Sequence, residues 1–336
     1  MFITHTNSVY SEEITLLDHL PWPQYVHQVA NGGGMVVERG IKTMPAELID
    51  YVLKGKHGAA EGTVEFIQEL LATNARVGLI LAAGGTSWTG YTSNIPRTDK
   101  YPICKVPPMG ATQVFAGYLA NRLGSFEYIS TDCTSCISGH SAWYTANNML
   151  KLGLLDAMVV ISSDNGLSEE YLAIFGEHGL SKSVEEEDTD IVKFRVGHGC
   201  NITIFEGVNH LAAVKRDPIA IVTDMHLAAE THVNPLGISD TGAGYEKVIT
   251  AVDTTGIDFV KTHSTFSEDN KVEEKLVKAA FGDIRLVNYK LRIGHTMGSS
   301  TAIETALAIQ EEQGKFLSLG AGMGNVFSSA VVEIIK

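Results

Sequence analysis

The sequence predicts a layered α/β fold, because two apolar runs alternate with helical patterns. Residues 77–83 and 157–163 are largely apolar over the length of a strand, which is typical of strands buried on both faces. Amphipathic patterns at 109–123 and 142–152 indicate helices between these two strands. Strand and helix therefore alternate along the chain, as they do in α/β proteins.

The composition is that of a folded globular protein and excludes some functions. The 336 residues are 44% hydrophobic and 19% charged, enough for a large core. A formal net charge of −14 argues against nonspecific nucleic-acid binding, since neutralising phosphates requires a basic face. The sequence contains no membrane-length apolar run and no signal-peptide pattern. Four cysteines fit a reducing compartment better than a disulfide framework, so we predict a cytoplasmic protein.

The pattern divides into two halves where the composition becomes polar. An acidic run at 185–188 lies in this polar stretch, and such a run is usually a solvated connection. We predict an N-terminal half at 1–165, a connecting segment at 166–196 and a C-terminal half at 197–336. The second half repeats the alternation, beginning with a strand pattern at 199–206. We find no internal repeat at the level of residue identity.

A candidate nucleophile lies where a strand runs into a helix. Residues 126–136 pass from a β-prone segment into a turn of small residues, and the helical pattern follows. Cys133 would lie at the helix start, where unpaired N–H groups and the helix dipole stabilise a thiolate. Because cysteines near strand ends are more often buried apolar residues, the interpretation depends on partners elsewhere in the chain.

Candidate partners lie in the last third of the sequence. An apolar strand pattern ends at His263, and His295 precedes another helical pattern. Lys290 lies five residues before His295, and Glu304 lies nine residues after it. A lone histidine in such a place is usually structural, whereas this combination is more specific.

Together these motifs resemble the β-ketoacyl synthases of the thiolase superfamily. Residues 131–135 are similar to that family's T-A-C-(T/S)-S nucleophile site, and 263–265 to its H-G-T. Lys290, His295 and Glu304 resemble its K-x4-H…E element in order and spacing. The resemblance covers roughly residues 100–336. It implies a thiolase-like fold, with two similar halves that each hold a mixed sheet and helices in α-β-α-β-α layers.

The resemblance also implies an activity and a role for each residue. The family consists of acyltransferases that join an acyl thioester to a malonyl thioester by decarboxylative Claisen condensation. Cys133 would carry the acyl group, and the backbone N–H groups of Cys133 and Ala321 would form the oxyanion hole. His263 and His295 would donate hydrogen bonds to the malonyl thioester oxygen. Lys290 and Glu304 would orient the histidines, without a metal or organic cofactor.

Partners follow from the same resemblance. The substrates would be thioesters of acyl carrier protein or coenzyme A, in fatty acid, polyketide or related lipid biosynthesis. A homodimer is expected, with the strand at 126–130 extending the sheet across a two-fold axis. A heterodimer with a related subunit is also open.

Two of the sequence's departures from the family pattern concern the acyl pocket and a cation site. Ala321 stands where a phenylalanine commonly gates the acyl pocket of longer members. Asn270 and Glu273 align with the family's acidic ion-site positions, and the amide weakens a cation site. We therefore predict no metal.

Other functions remain as alternatives. A thiolase would need a second cysteine near the C-terminus, and none follows Cys200. A plant-type synthase would have asparagine in place of His295. Cys133 and Cys136 have the spacing of a redox or zinc-binding Cys-x-x-Cys motif. A non-elongating or decarboxylase-type partner subunit of a ketosynthase pair also fits.

Overall fold

The computed structural model describes residues 1–10, 26–28, 35–37, 63–84, 112–165, 197–265 and 269–335. The predicted connecting segment at 166–196 lies outside these residues. Within the described residues, no helix has the length and apolar character to cross a membrane.

Ten of the strands form one mixed sheet, and two short strands pair separately. The strands are β1 Phe2–Tyr10, β2 Val26–Gln28, β3 Met35–Val37, β4 Val77–Ala82, β5 Tyr128–Asp132, β6 Ala157–Asn165, β7 His198–Glu206, β8 Ala220–Ala229, β9 Phe259–Lys261, β10 Arg285–Val287, β11 Lys315–Gly322 and β12 Val326–Ile334.

The large sheet consists of two parts with the same strand order. From one edge to the other the order is β10-β9-β11-β12-β8-β1-β7-β6-β4-β5. In the N-terminal part, β4 pairs in parallel with β5 and β6, β6 pairs antiparallel with β7, and β7 pairs antiparallel with β1. In the C-terminal part, the corresponding strand β9 pairs in parallel with β10 and β11, β11 pairs antiparallel with β12, and β12 pairs antiparallel with β8. The parts are joined where Phe2 and Ile3 of β1 pair with Ile221 and Ala220 of β8.

Helices cover both outer faces of the sheet and fill the space between its two parts. They are α1 Thr63–Ala72, α2 Thr112–Leu123, α3 Ser138–Lys151, α4 Val208–Val214, α5 Ala243–Thr250, α6 Asp269–Phe281, α7 Lys290–Ile293 and α8 Ser300–Glu311. Helices α1 and α2 pack on the N-terminal part, α5 and α6 pack on the C-terminal part, and α3 and α8 lie in the central core. This α-β-α-β-α layering confirms the predicted fold class.

The central helices meet at their first turns. Every residue of α8 from Ser300 to Ile309 is buried, so this helix is enclosed by protein on all sides. A Cβ added to Gly139 of α3 would lie 2.8 Å from the Cβ of Ala302 in α8. Glycine at this position therefore allows the two helices to approach each other closely.

A short 3₁₀ turn leads into each central helix. The turns are Ser135–Ile137 before α3 and Met297–Ser299 before α8. Ser135 and Met297 both have positive φ, at 52° and 50°, a region that non-glycine residues seldom adopt. Cys136 follows Ser135 directly, which makes this strained turn part of the site described next.

Candidate active site

The structure places Cys136, rather than the predicted Cys133, next to the histidines. Strand β5 ends at Asp132, and Cys133 follows it with an exposed side chain. The chain needs the turn at Ser135–Ile137 before α3 begins at Ser138, so Cys133 lies five residues before the helix. Cys136 is 6% exposed, and its Sγ lies 3.2 Å from Nε2 of His295. We therefore reassign the candidate nucleophile to Cys136.

Both predicted histidines lie at this thiol. The rings of His263 and His295 are nearly perpendicular, with centroids 5.5 Å apart. On its other side, Nδ1 of His295 lies 3.1 Å from the Ser300 hydroxyl. Nδ1 of His263 is buried and has no hydrogen-bond partner among the described residues. A buried nitrogen acceptor without a hydrogen bond destabilises the protein less than a buried N–H donor without one. We therefore place the His263 proton on Nε2 and leave Nδ1 unprotonated.

A buried charge cluster supports His295 from behind. Lys290 donates to Oε1 of Glu304 at 2.5 Å, and Lys261 donates to Oε2 at 3.2 Å. Ser300 also bonds to Oε1 of Glu304, and Lys261 donates to the carbonyl of Leu319 at 2.7 Å. Two ammonium groups and one carboxylate leave one net positive charge in a region where these side chains are 0–3% exposed. Lys290 and Glu304 thus lie together, as expected.

Burial sets the charge states of the site. It lowers the pKa of His295 to about 3, with Lys290 acting in the same direction, and it lowers the pKa of His263 well below its usual range. Both imidazoles are therefore neutral at pH 7. Burial raises the pKa of Cys136, against smaller opposing effects of Ser135 and Lys290, so the resting group is a thiol.

Glu304 behaves differently because it has cationic partners. Burial alone would raise the pKa of its carboxyl group, but Lys261 and Lys290 outweigh that effect and lower it to about 2. Glu304 is consequently ionised, and it can only accept hydrogen bonds.

The end of β11 passes directly over the turn that carries Cys136. A Cβ on Gly322 would lie 3.2 Å from the Cys136 backbone nitrogen, so the absence of a side chain permits this approach. The backbone N–H of Met323 donates to the Cys136 sulfur. Ala321, the predicted oxyanion-hole residue, pairs with Phe327 within the sheet. The N–H group that reaches the sulfur therefore lies two residues further along the chain.

Glu273 and Asn270 have a structural role at the end of β9. Glu273 accepts hydrogen bonds from the backbone N–H groups of His263 and Ser264 at 2.7 and 2.9 Å, and Asn270 accepts one from Thr265 at 2.9 Å. These contacts hold the His263 segment in place. Within the described residues, no group of three or more His, Cys, Asp or Glu side chains could hold a metal ion.

Comparison with known proteins finds relatives of low sequence identity. No protein-family model matches the chain. It is 23% identical over 337 residues to the putative mitochondrial 3-oxoacyl-[acyl-carrier-protein] synthase of Schizosaccharomyces pombe, covering 86% of this chain and 78% of that protein. It is 24% identical over 232 residues to the 3-oxoacyl-[acyl-carrier-protein] synthase homolog of Saccharomyces cerevisiae, covering 63% of this chain and 51% of that protein.

Solved ketosynthase structures share the fold over the whole chain. A TM-score of 0.80 at 14% identity relates it to the AntDE:AntF complex of a type II polyketide synthase acyl carrier protein with its ketosynthase, covering 100% of this chain and 99% of that one. Ketosynthase twelve of the Bacillus amyloliquefaciens bacillaene synthase gives 0.70 at 12% identity, covering 100% and 75%. The chain therefore has the thiolase-like fold of these ketosynthases.

Three residues of this candidate site were not identified from the sequence. Lys261 and Ser300 interact through tertiary contacts that residue spacing does not reveal. For Cys136 a signal was present, because Ser138 and Gly139 follow it closely. Small residues at these positions are what a helix needs where it begins against another helix.

Proposed function

We propose that the chain is a β-ketoacyl synthase, an acyltransferase that joins an acyl thioester to a malonyl thioester by decarboxylative Claisen condensation. The observation that carries the proposal is the buried thiol of Cys136, 3.2 Å from Nε2 of His295 and beside His263. A positioned thiol can hold an acyl group. Two neutral imidazoles can assist proton transfer and stabilise developing negative charge without contributing a full charge of their own.

The first half-reaction is acyl transfer to the enzyme. Cys136 Sγ attacks the thioester carbon, and the bond from that carbon to the sulfur of the carrier breaks. The backbone N–H groups of Cys136 and Met323 are our candidates for the oxyanion hole, because Met323 N–H is already directed at the sulfur. The donor role predicted for the N–H of Ala321 stays a prediction.

The second half-reaction forms the carbon–carbon bond. The malonyl thioester loses carbon dioxide, and negative charge develops on its thioester oxygen. The Nε2–H of His263 is the candidate donor to that oxygen. The resulting carbon nucleophile attacks the acyl carbon on Cys136, and the Cys136 sulfur leaves as the thiolate. It takes up one proton from solvent for each carbon dioxide released.

The names and structures of similar proteins support a carrier-protein substrate and a fatty acid or polyketide pathway. Both curated relatives are named as 3-oxoacyl-[acyl-carrier-protein] synthases or homologs of one, and one fold neighbour is a ketosynthase in complex with an acyl carrier protein. Coenzyme A thioesters stay open as donors. The cytoplasmic location stays a prediction, since the first relative is named as mitochondrial.

We also propose that the protein forms a homodimer. Strand β5 lies at one edge of the ten-stranded sheet, and its Ile129 is 45% exposed. An edge strand with an exposed apolar residue can extend a sheet across a two-fold axis. A heterodimer with a related subunit could use the same edge.

Trapping the acyl group tests the proposed function. Purified protein would be incubated with a panel of acyl-coenzyme A and acyl carrier protein thioesters, and the labelled cysteine would be identified by peptide mass spectrometry. We expect the acyl group on Cys136. Cys136→Ala should abolish acylation, whereas Cys133→Ala, the matched control in the same segment, should retain it.

Product analysis completes the test. The acylated protein should release carbon dioxide from a malonyl thioester and form a β-ketoacyl product. Carbon dioxide release without that product would instead identify a decarboxylase-type subunit. Acyl label on Cys133, or none on either cysteine, would contradict the proposed site.

A further inference from the structure

We propose that Ser300 is a positioning residue that fixes the tautomer of His295, so that Nε2 of His295 accepts the proton of the Cys136 thiol. The inference rests on the proposed function and adds a step to it. It starts from a chain of contacts that runs from Lys261 and Lys290 through Glu304, Ser300 and His295 to Cys136.

The direction of each hydrogen bond follows from the first link. Glu304 faces two lysine ammonium groups and is ionised, so it can only accept. The Ser300 hydroxyl must therefore donate its proton to Glu304. Its oxygen then presents only lone pairs to Nδ1 of His295, 3.1 Å away, so this nitrogen must carry the proton.

This assignment determines what His295 presents to the thiol. A neutral imidazole carries one proton, so protonation at Nδ1 leaves Nε2 as an acceptor. Nε2 lies 3.2 Å from Cys136 Sγ, and the S–H group is the available donor. The two histidines thus differ: His295 accepts from the nucleophile, whereas His263 is left to donate to the malonyl thioester oxygen. The donor role first predicted for His295 would require the opposite tautomer.

The proposed proton path is balanced. As Cys136 Sγ forms a bond with the thioester carbon, its proton moves to Nε2 of His295. The tetrahedral oxyanion collapses, the bond to the carrier sulfur breaks, and the carrier thiolate takes the proton back from Nε2. His295 returns to its resting tautomer, and no oxidant, reductant or metal is consumed. Proton transfer during attack is needed because the buried thiol does not ionise readily beforehand. Burial also lowers the pKa of His295, so Nε2 becomes basic enough to take the proton only as negative charge develops beside it on the sulfur and the thioester oxygen.

The charged surroundings of this path come from several elements. Lys261 belongs to β9, Lys290 to α7 and Glu304 to α8. The other titratable side chains that act on Cys136, the histidines or Lys261 are Asp164 of β6, His140 of α3 and Glu273 of α6. Among these groups, Glu304 accepts the hydrogen bond from Ser300. The ionised state of Glu304 therefore sets the orientation of the Ser300 hydroxyl, and through it the tautomer of His295.

Ser300→Ala tests the inference with little change in volume. His295 then loses the acceptor for Nδ1–H, and the tautomer with a proton on Nε2 can form. A positioned proton acceptor contributes about 10²–10⁴-fold to the rate of a reaction. Ser300→Ala keeps the imidazole and loses only the preference for one tautomer, so the rate of acyl transfer should fall by roughly tenfold or more. We expect acyl transfer to Cys136 to slow by this factor. Carbon dioxide release by enzyme that already carries the acyl group should stay within about threefold of wild type, because no thiol proton remains to be removed.

Ser299→Ala is the matched control. Ser299 is the neighbouring fully buried serine, but its hydroxyl donates to the carbonyls of Thr296 and Gly199 and not to His295. We expect both half-reactions to be unchanged in this variant. Lys261→Met perturbs the chain from its far end and should reduce acyl transfer in the same direction by a smaller factor.

A substrate-free measurement separates this inference from the proposed function. The alkylation rate of Cys136 by iodoacetamide would be followed against pH by peptide mass spectrometry, with the exposed Cys133 as an internal reference. In Ser300→Ala, the thiol loses its hydrogen-bond acceptor and an Nε2–H group can stabilise the thiolate, so the Cys136 profile should shift to lower pH while the Cys133 profile stays fixed. ¹⁵N spectra of labelled histidine, assigned with His295→Asn, should show a protonated Nδ1 at position 295 in wild type.

The outcomes distinguish the two ideas. If the wild-type protein is not acylated by any thioester in the panel and forms no condensation product, the proposed function is wrong. The alkylation profile of Cys136 and the ¹⁵N spectrum of His295 would still test the tautomer in that case. Equal losses in both half-reactions of Ser300→Ala, an unchanged alkylation profile, or a protonated Nε2 in wild type would overturn the role of Ser300.

Discussion

The buried cluster of Lys261, Lys290 and Glu304 yields a quantitative prediction about stability. Glu304→Gln keeps the size of the side chain but leaves two buried ammonium groups without a carboxylate. Removing one partner of a buried ion pair typically costs about 3–5 kcal/mol, because the remaining charge is uncompensated. We expect the free energy of unfolding to fall by that amount.

The pKa of Glu304 gives a second estimate of similar size. Lowering it from 4.5 to about 2 on folding corresponds to roughly 3 kcal/mol of stabilisation at neutral pH. Because the folded-state pKa is the lower one, this contribution is fully present above about pH 4.5 and is lost as the pH falls towards 2. The difference in stability between wild type and Glu304→Gln should therefore shrink across this range.

Equilibrium urea unfolding at several pH values would measure the effect. Glu311→Gln is the control, since Glu311 ends the same helix but pairs with Arg292 at the surface, at 2.6 Å with both side chains more than a third exposed. Exposed pairs contribute about 0–1 kcal/mol. In the Glu304→Gln background, Lys261→Met should recover part of the loss by removing an unpaired charge. Equal losses in the two glutamine variants, or a difference that does not change below pH 4.5, would refute the reasoning.

Two further predictions concern packing and assembly. Gly298→Ala should lower the unfolding free energy by about 1–3 kcal/mol, because the new Cβ would lie 2.0 Å from the Gly84 backbone nitrogen. Gly117→Ala in α2 is the control and should be neutral or stabilising, because nothing lies within 4 Å of its new Cβ. Equal unfolding free energies for the two variants in urea would contradict this prediction. In sedimentation, the wild type should be a dimer. Ile129→Asp on β5 should dissociate the dimer, whereas Leu286→Asp on the opposite edge strand β10 should leave it intact. A 36.2 kDa wild-type monomer at micromolar concentration would exclude the proposed dimer.

The sequence predicted the strands well because buried strands are marked by their own composition. The apolar runs at 77–83 and 157–163 correspond to β4 and β6, and the helical pattern at 142–152 falls within or next to α3. Strand order was not readable, since it depends on which strands pair over long distances. The sequence has no internal repeat at the level of residue identity, so the matching strand order of the two sheet parts was found only in the structure.

The site was predicted in part for a similar reason. His263, His295, Lys290 and Glu304 were identified by spacing along the chain, and the structure brings them together. The structure places Cys136, three residues after the predicted nucleophile Cys133, beside His295. The motif at 131–135 matched the family pattern, but the left-handed turn at Ser135 was not anticipated. Where the helix begins depends on a backbone conformation that residue types alone do not specify.

The matching strand order has a consequence for how the site is divided between the two parts. In the N-terminal part β5 leads through a 3₁₀ turn into α3, and in the C-terminal part β10 leads through α7 and a 3₁₀ turn into α8. The starts of α3 and α8 occupy corresponding places in the two parts and meet at Gly139 and Ala302. The thiol of Cys136 lies within the turn before α3, whereas the His295 imidazole that faces it lies two residues before the turn that leads into α8, so the two parts contribute chemically different groups from different positions.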